Sequence, residues 1–356
     1  MKRLLKNPLA IISLAVIIIF VVIAVLGYAI TPDKTPYANE QHLEIAVKKP
    51  GFKIKMLQIY SQNTLKDDNT NTIQRWFHNM FFGTVCSTTN IPIYDYKINK
   101  NNTLTYETYT SDTPNEGEKI TLNKDIKYKI VDKTYYLGTD KYGRDLLSQL
   151  MIGTRVSLTV GFIAIFIALV IGVILGSIAG YYGGAVDNII MWVINVIWSM
   201  PTILLVIAIT FALGKGFWQV FVAVGLTMWV DIARMVRGQV MSLKEKEFVL
   251  AGRALGFSDF RLITKHILPN VVGSVTVIVA SNFATAILQE AGLSFLGIGV
   301  QPPIPSWGSM IKENYGYIIL DAAYMAIIPG LAIMILVLSF FLLGNAIRQA
   351  MDIKQS

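Results

Sequence analysis

Residues Glu247–Asn270 read EFVLAGRALGFSDFRLITKHILPN. The pattern is helix, break, helix. Val249, Ala254 and Leu255 supply an apolar face with small residues. Gly256 permits a left-handed helix stop. Ser258 and Asp259 are suited to cap the helix that follows, and Leu262, Ile263 and Ile267 give that helix an apolar stripe. Pro269 is expected to end it. On both sides the sequence turns apolar, so this short charged segment lies between two stretches that belong in lipid.

Working outward, the chain has 356 residues, 53% hydrophobic and only 15% charged, with a mean hydropathy of +0.52. Soluble domains carry about 25% charged residues. Leu9–Ile30 is an uncharged run of 22 residues. At 1.5 Å per residue it reaches about 33 Å, enough to cross the hydrocarbon core. It exceeds the apolar core of a signal peptide, and Tyr28-Ala29-Ile30-Thr31 offers no small-x-small cleavage site, so it reads as an uncleaved anchor. Five further spans are predicted at Leu158–Ile178, Val186–Leu213, Phe217–Met235, Val271–Leu296 and Ala322–Leu343. Each must be helical, because a backbone in lipid has to satisfy its own hydrogen bonds. Pro201 should kink the third of them.

Lys2, Arg3 and Lys6 precede the first span and place the N-terminus in the cytoplasm. Alternation then puts 31–150, 214–216 and 297–321 outside, and the Tyr181–Asp187 turn, 236–270 and the tail inside. The charges agree. Arg234, Arg237, Lys244, Lys246, Arg253, Arg261 and Lys265 gather around the 236–270 loop, with Arg348 and Lys354 in the tail. Among Lys and Arg, the short outer loops carry only Lys215 and Lys312. The net charge of +8 is therefore a membrane signature; no soluble basic patch interleaved with aromatics points to nucleic acid. The single cysteine, Cys86, forms no internal disulfide, and no Cys/His cluster has metal-ligand spacing.

Residues 31–150 differ from the rest, being rich in Asn, Thr, Lys and Tyr. Thr103–Tyr109, Lys119–Leu122 and Ile126–Val131 alternate as strands do, and Arg75–Phe82 reads as a short aromatic-rich helix at the membrane interface. A small β-rich extracytoplasmic domain is expected, either a docking surface for a substrate-delivery protein or a lid or spacer. Asn101-Asn102-Thr103 matches a glycosylation sequon weakly.

The residues alone leave two readings of Glu247–Asn270 open: an amphipathic loop lying on the bilayer, or a lever inserted into a groove on a partner. No P-loop is present; the one Gly-Lys pair, Gly214-Lys215, continues with Gly216. Nucleophile elbows and zinc motifs are also missing, so catalytic residues are not assigned. Asn195, Ser199, Asn282, Gln289 and Glu290 are the polar candidates within the spans. Asn282 and Gln289 lie seven residues apart and share a helix face, with Glu290 adjacent. That face borders a translocation path or makes helix–helix hydrogen bonds. Asp231 and Arg234, with Gly238 at the same end of the fourth span, read as a structural ion pair.

Glu247–Asn270 resembles the signature of permease subunits of binding-protein-dependent ABC importers: Glu-Ala-Ala, three residues, Gly, nine residues, Ile-x-Leu-Pro. Aligned on Gly256, Leu268 and Pro269, it has Ala251 at the second position, with departures at Leu250, Gly252 and His266. His266-Ile267-Leu268-Pro269-Asn270 is similar to the peptide/nickel branch. Leu137–Leu147 (LGTDKYGRDLL) and Glu290–Gly308 (EAGLSFLGIGVQPPIPSWG) resemble the second, C-type permease of oligopeptide and dipeptide systems. Within the second stretch, Gly292, Gly297 and Gly299 read as sites of close backbone approach, Pro302-Pro303 stiffens the loop, and Trp307 suits the membrane interface.

The resemblance covers 1–30 loosely and 137–350 well; 31–136 inherits nothing from it. It implies an all-α polytopic fold of six transmembrane helices, ABC type I importer-like, with an inserted small β-rich domain. The implied division is an anchor helix at 1–30, the insertion at 31–136, the permease domain at 137–350 with its coupling loop at 245–270, and a cytoplasmic tail at 351–356. It further implies ATP-driven peptide import across a bacterial inner membrane. The implied partners are a homologous second permease, two ATPase subunits that use ATP and Mg, and an external peptide-binding lipoprotein. Coupling to the ATPase then falls on Glu247, Ala251, Arg253, Ala254, Leu255, Gly256 and Arg261. A nickel-complex importer of the same branch is the alternative cargo class. An ATP-independent transporter or channel would show repeat symmetry, and a membrane-anchored receptor would make 245–270 dispensable.

Overall fold

The computed structural model describes residues 7–60, 72–84, 88–99, 103–110, 113, 116–123, 126–214 and 216–352. Cys86, Lys215 and Asn101-Asn102 lie outside them. The described chain divides into two compact units. One comprises 22–155 and 302–329, the other 1–21, 156–301 and 330–356.

In the first unit, β1 (Phe52–Tyr60), β2 (Thr88–Ile98), β3 (Leu104–Thr108), β4 (Lys119–Leu122) and β5 (Tyr128–Tyr135) form one antiparallel sheet ordered β4-β3-β2-β1-β5. β3, β4 and β5 lie on the three alternating segments. β1 and β2 carry apolar side chains on both faces, which hides their period. Ile54 and Met56 of β1 pack with Ile45, Tyr109 and Tyr135, whereas Leu57 packs with Ile93, Leu104, Tyr106 and Leu122. On one face Glu40 accepts from Lys133 Nζ at 2.7 Å and from Asn90, and His42 Nε2 lies 3.3 Å away. The helix α2 (Thr72–Phe82) contains the aromatic-rich segment.

The LGTDKYGRDLL stretch is a folded turn of this unit. Gly138 and Gly143 take left-handed φ of 80° and 72°, where a Cβ would meet the carbonyls of Lys48 and His42. Asp140 accepts the backbone N–H groups of Tyr142 and Arg144 at 2.9 Å. The Arg144 guanidinium reaches Asp140 and Glu313, both at 2.6 Å. Asp145 caps the next helix by accepting the Ser148 N–H at 3.0 Å. Trp307, expected at a lipid interface, is instead fully buried, with its indole N–H on the Leu150 carbonyl at 3.0 Å. It opens α10 (Trp307–Asn314), which has a Ser306/Ser309 capping box.

Among the described residues, five helices are long and apolar enough to cross a membrane, or six if one bent pair counts as a single span. They comprise α1 (Pro8–Leu26), continued by a short turn to Ala29, α3 (Leu146–Tyr182), α6 (Phe217–Lys244), Asp259–Phe295 and α11 (Tyr324–Asp352). The expected continuous span Val186–Leu213 is corrected. It is two helices, α4 (Gly184–Trp198) and α5 (Thr202–Leu213), meeting at 96°. Pro201, with no N–H to give, breaks the helix rather than kinking it.

Pro269 does not end a helix either. Residues Leu262–Ile267 form a π-turn, and Pro269 sits in the first turn of α9 (Leu268–Phe295). Proline is tolerated in a first turn, where its missing donor is not needed. In the second unit α3 lies against α6 along a glycine ladder. A Cβ on Gly172, Gly176 or Gly180 would come within 2.7, 2.5 and 2.7 Å of Ile232, the Ala233 carbonyl and the Arg237 carbonyl. Small residues four apart let the two backbones approach closely.

Candidate functional site

The chain leaves α6 at Lys244 and enters α7 (Glu247–Ala254). Glu247, in the first turn, complements the positive helix end. The stop is a Schellman turn. Gly256 has φ +76°, its N–H donates to the Arg253 carbonyl at 3.0 Å, and the Phe257 N–H donates to the Gly252 carbonyl at 3.1 Å. Gly252 has to be small, since a Cβ there would lie 2.9 Å from Leu262 and 3.2 Å from Phe257. Ser258 occupies the N-cap position of α8 (Asp259–Arg261) without a side-chain cap bond. The Asp259 carboxylate, expected to cap, turns instead to Tyr181.

The Tyr181 hydroxyl donates to Asp259 Oδ1 at 2.6 Å and accepts from Arg253 Nη2 at 3.4 Å. One phenol at the end of α3 thereby ties α7 and α8 to that membrane-spanning helix. Arg261 stacks over Phe257 at 4.0 Å, and Phe257 stacks on His266. Underneath, Val249, Leu262 and Ile267 are fully buried.

The apolar face expected from Val249, Ala254 and Leu255 is corrected: it is split. Val249 points inward, while Ala254 and Leu255 point out. Glu247, Ala251, Ala254 and Leu255, spaced as one helix face, are all exposed, Leu255 at 73%. Phe260 beyond the turn is 78% exposed. Arg253, Gly256 and Arg261 are exposed as well. All seven residues expected to couple are thus exposed, and Glu247, Ala251, Ala254 and Leu255 among them form one strip above the buried Val249, Leu262 and Ile267.

The intramembrane candidates fall into two groups. On α9, Glu290 is completely buried. Its carboxylate accepts from Ser157 Oγ at 3.3 Å and Ser294 Oγ at 2.7 Å, and Ser294 in turn accepts the Val300 N–H at 3.2 Å. A Cβ on Gly299 would come within 2.1 Å of Ser294 Oγ, whereas Gly292 faces open space. Close approach is thus confirmed for Gly299 and not for Gly292. Among the described residues, Asn282 Nδ2 and Gln289 Oε1 are buried side-chain atoms without a hydrogen-bond partner. On α4, Asn195 accepts from Arg234 Nη2 at 3.1 Å, and Ser199 bonds its own helix at the Val196 carbonyl.

The Asp231–Arg234 ion pair is corrected too. Arg234 turns to Asn195 and lies 3.6 Å from the centre of the Trp198 ring. The ion pair that forms here joins Arg237 to Asp187 at 2.5 Å, fifty residues apart.

A family model described as "Binding-protein-dependent transport system inner membrane component" matches residues 172–353, about half of the chain. The chain belongs to this family. It is a transmembrane permease of an ATP-driven importer. A second model, the N-terminal TM domain of oligopeptide transport permease C, matches residues 1–50.

The permease is similar to the glutathione transport system permease protein GsiD of Escherichia coli O6:K15:H31. They are 41% identical over 220 residues, which cover 62% of this chain and 72% of that protein. GsiD of Pectobacterium atrosepticum is 40% identical over 220 residues, with coverages of 62% and 73%. Among solved structures, one of the inward-facing MetNI methionine ABC transporter covers 58% of this chain and 97% of its own, at 20% identity and a TM-score of 0.47.

The permease is a multi-pass membrane protein with an inserted β-rich region. By family it is a transport component rather than a catalyst, and such a component works with an ATPase and a binding protein. The strip at 247–261 and the polar stretch of α9 both lie inside the matched 172–353 region.

Proposed function

We propose that this permease forms half of the translocation path of a peptide importer, with a homologous permease as the other half. Two ATPase subunits consume ATP and Mg, neither of which this chain binds, and an external peptide-binding lipoprotein delivers cargo. The bent pair α4–α5 counts as one broken span. Both termini and the 245–270 loop then face the cytoplasm, where the ATPase is.

The observation that carries the reading is the exposed strip of Glu247, Ala251, Ala254 and Leu255, backed by the Gly256 stop and clamped by Tyr181. A lever must be rigid underneath and accessible on top, and this segment is both. Arg253 and Arg261 flank the strip and supply positive charge to the ATPase surface. Closure of the ATPases would push α7 and α8, and through Tyr181 the end of α3. Asn282 and Gln289 border the path, and Glu290 stands behind them. Asn195 and Ser199 line the approach at the α4–α5 bend.

Cargo is assigned as short peptides of the glutathione size class, supported by the GsiD relatives. The test is ATP-dependent uptake by proteoliposomes holding the complete importer. Labelled glutathione and short peptides should accumulate and compete with one another. Uptake of a chelated nickel ion without peptide competition would overturn the cargo assignment, and uptake without ATP would overturn the mechanism.

A further inference from the structure

We infer that α2 is a membrane-surface anchor, with its aromatic side chains seated in the headgroup boundary beside the end of the first span. Two observations fix its level. First, the Arg155 guanidinium bonds the last carbonyls of two helices at once. Nε donates to Ala24 O at 2.8 Å and Nη2 to Val25 O at 3.4 Å, at the end of α1. Nη1 donates to Phe81 O at 2.6 Å and Nη2 to Met80 O at 3.2 Å, at the end of α2. Helix C-termini present uncompensated carbonyls and negative dipole ends, so one guanidinium between them locks both. Gly27 makes room for it: a Cβ there would lie 1.9 Å from Nη2. Secondly, Pro8–Ala29 is the most apolar span among the described residues, and its end must therefore reach the hydrocarbon boundary. Since α2 is tied to that end, it lies at headgroup depth.

What α2 presents there fits lipid. Trp76, Phe77, Met80 and Phe81 share one arc of the helix, and Arg75 and His78 the opposite one; Phe82, in the last turn, is the exception. Met80 is buried against the protein, while Trp76, Phe77, Phe81 and Phe82 are exposed. Tryptophan and phenylalanine beside a polar arc are the composition of helices that lie in the interface plane. The occupant of this face is the bilayer itself, continuous with the lipid around α1. The β-rich insertion is thereby held against the membrane surface at a second point besides the spans. This inference does not depend on the coupling role of 247–261.

The test uses the full chain in the assembled importer, in phosphatidylcholine–phosphatidylglycerol nanodiscs with plain lipids or lipids brominated just below the glycerol backbone. Trp76 is one of six tryptophans, so its emission is read as the difference between wild type and Trp76→Phe. The difference emission should fall about twofold or more in brominated lipid and resist aqueous iodide. A second reporter, Phe82→Trp on the Trp76→Phe background, should behave in the same way. Emission untouched by brominated lipid would overturn the inference. In that case iodide quenching would mean the face lies in water, and no quenching by either probe would mean a protein partner covers it.

Discussion

The hydroxyl of Tyr181 lies 2.6 Å from Oδ1 of Asp259, joining the last turn of α3 to the helix that follows the Gly256 stop. A push delivered to α7 or α8 therefore reaches a membrane-spanning helix through a hydrogen bond to a charged group. Such a bond contributes about 1.5–3 kcal/mol. Tyr181→Phe keeps the ring and removes this link together with the weaker bond from Arg253. Uptake per ATP hydrolysed should fall several-fold while membrane insertion stays normal. Parallel assays of ATP turnover and transport in proteoliposomes measure that ratio.

Gly256 provides a graded test of the stop. Its φ of +76° costs a β-branched side chain about 1–2 kcal/mol, about tenfold in the population of the turn. Nothing lies within 4 Å of a Cβ there, so strain rather than collision is at stake. Transport should decline in the order Gly, Asn, Val, because asparagine tolerates the left-handed region. Uptake rates of Gly256→Asn and Gly256→Val, normalised to protein in the membrane, check the order.

The glycine ladder predicts a stability effect far from the loop. Gly176→Leu drives a side chain into the Ala233 carbonyl and should destabilise α3–α6 packing by about 1–3 kcal/mol. Gly238→Ala, facing open space on α6, should be neutral or slightly stabilising. Thermal unfolding midpoints of the two variants in detergent give the comparison.

The outer sheet should respond to acid. Burial of Glu40 opposes its ionisation, but His42, Lys133 and Asn90 outweigh this and hold the carboxyl well below the usual carboxylate range. Burial works against the charged form of Lys133 as well, yet Tyr135 and Glu40 hold its ammonium above the usual lysine range. A depressed carboxylate contributes stability that is fully present above its unfolded value and is lost as pH falls toward its folded one. A raised ammonium contributes until pH climbs past the lysine range. Local opening of β1 and β5, read from amide exchange corrected for its intrinsic pH dependence, should therefore be slow at neutral pH and quicken on acidification below the carboxylate range. Lys133→Met should quicken it already at neutral pH, by leaving Glu40 buried without its cation.

Much of this was legible in the sequence, and what escaped has physical causes. Spans announce themselves by uncharged length, and the Gly256 stop by its glycine between two apolar patterns. The α4–α5 break was visible as Pro201, but whether a proline bends or severs a helix depends on what packs around it. Pro269 was misread because a π-turn, which no local pattern marks, lets the helix run through. β1 and β2 escaped because burial on both faces erases alternation.

At the site, the exposed strip was named residue by residue. Its split from Val249 was not, since composition does not tell which side of a short helix meets solvent. Tyr181 and Ser157 carried no local signal, since their partners lie 78 and 133 residues away, whereas Ser294 stands one helical turn from Glu290. The ladder Gly172-x3-Gly176-x3-Gly180 did carry one, in its four-residue spacing. Asp187 and Arg237 could be paired only once α4 and α6 were folded.

The most direct test places a cysteine at Leu255, the exposed C-cap residue of α7, in a chain whose one native cysteine, Cys86, is replaced by serine. In inner-membrane vesicles holding the whole importer, a short thiol cross-linker should join Leu255→Cys to the ATPase subunit, with a yield that changes when ATP is added. Labelling of that cysteine by an impermeant reagent from the binding-protein side, with no ATPase adduct under any nucleotide condition, would contradict the role given to residues 247–261.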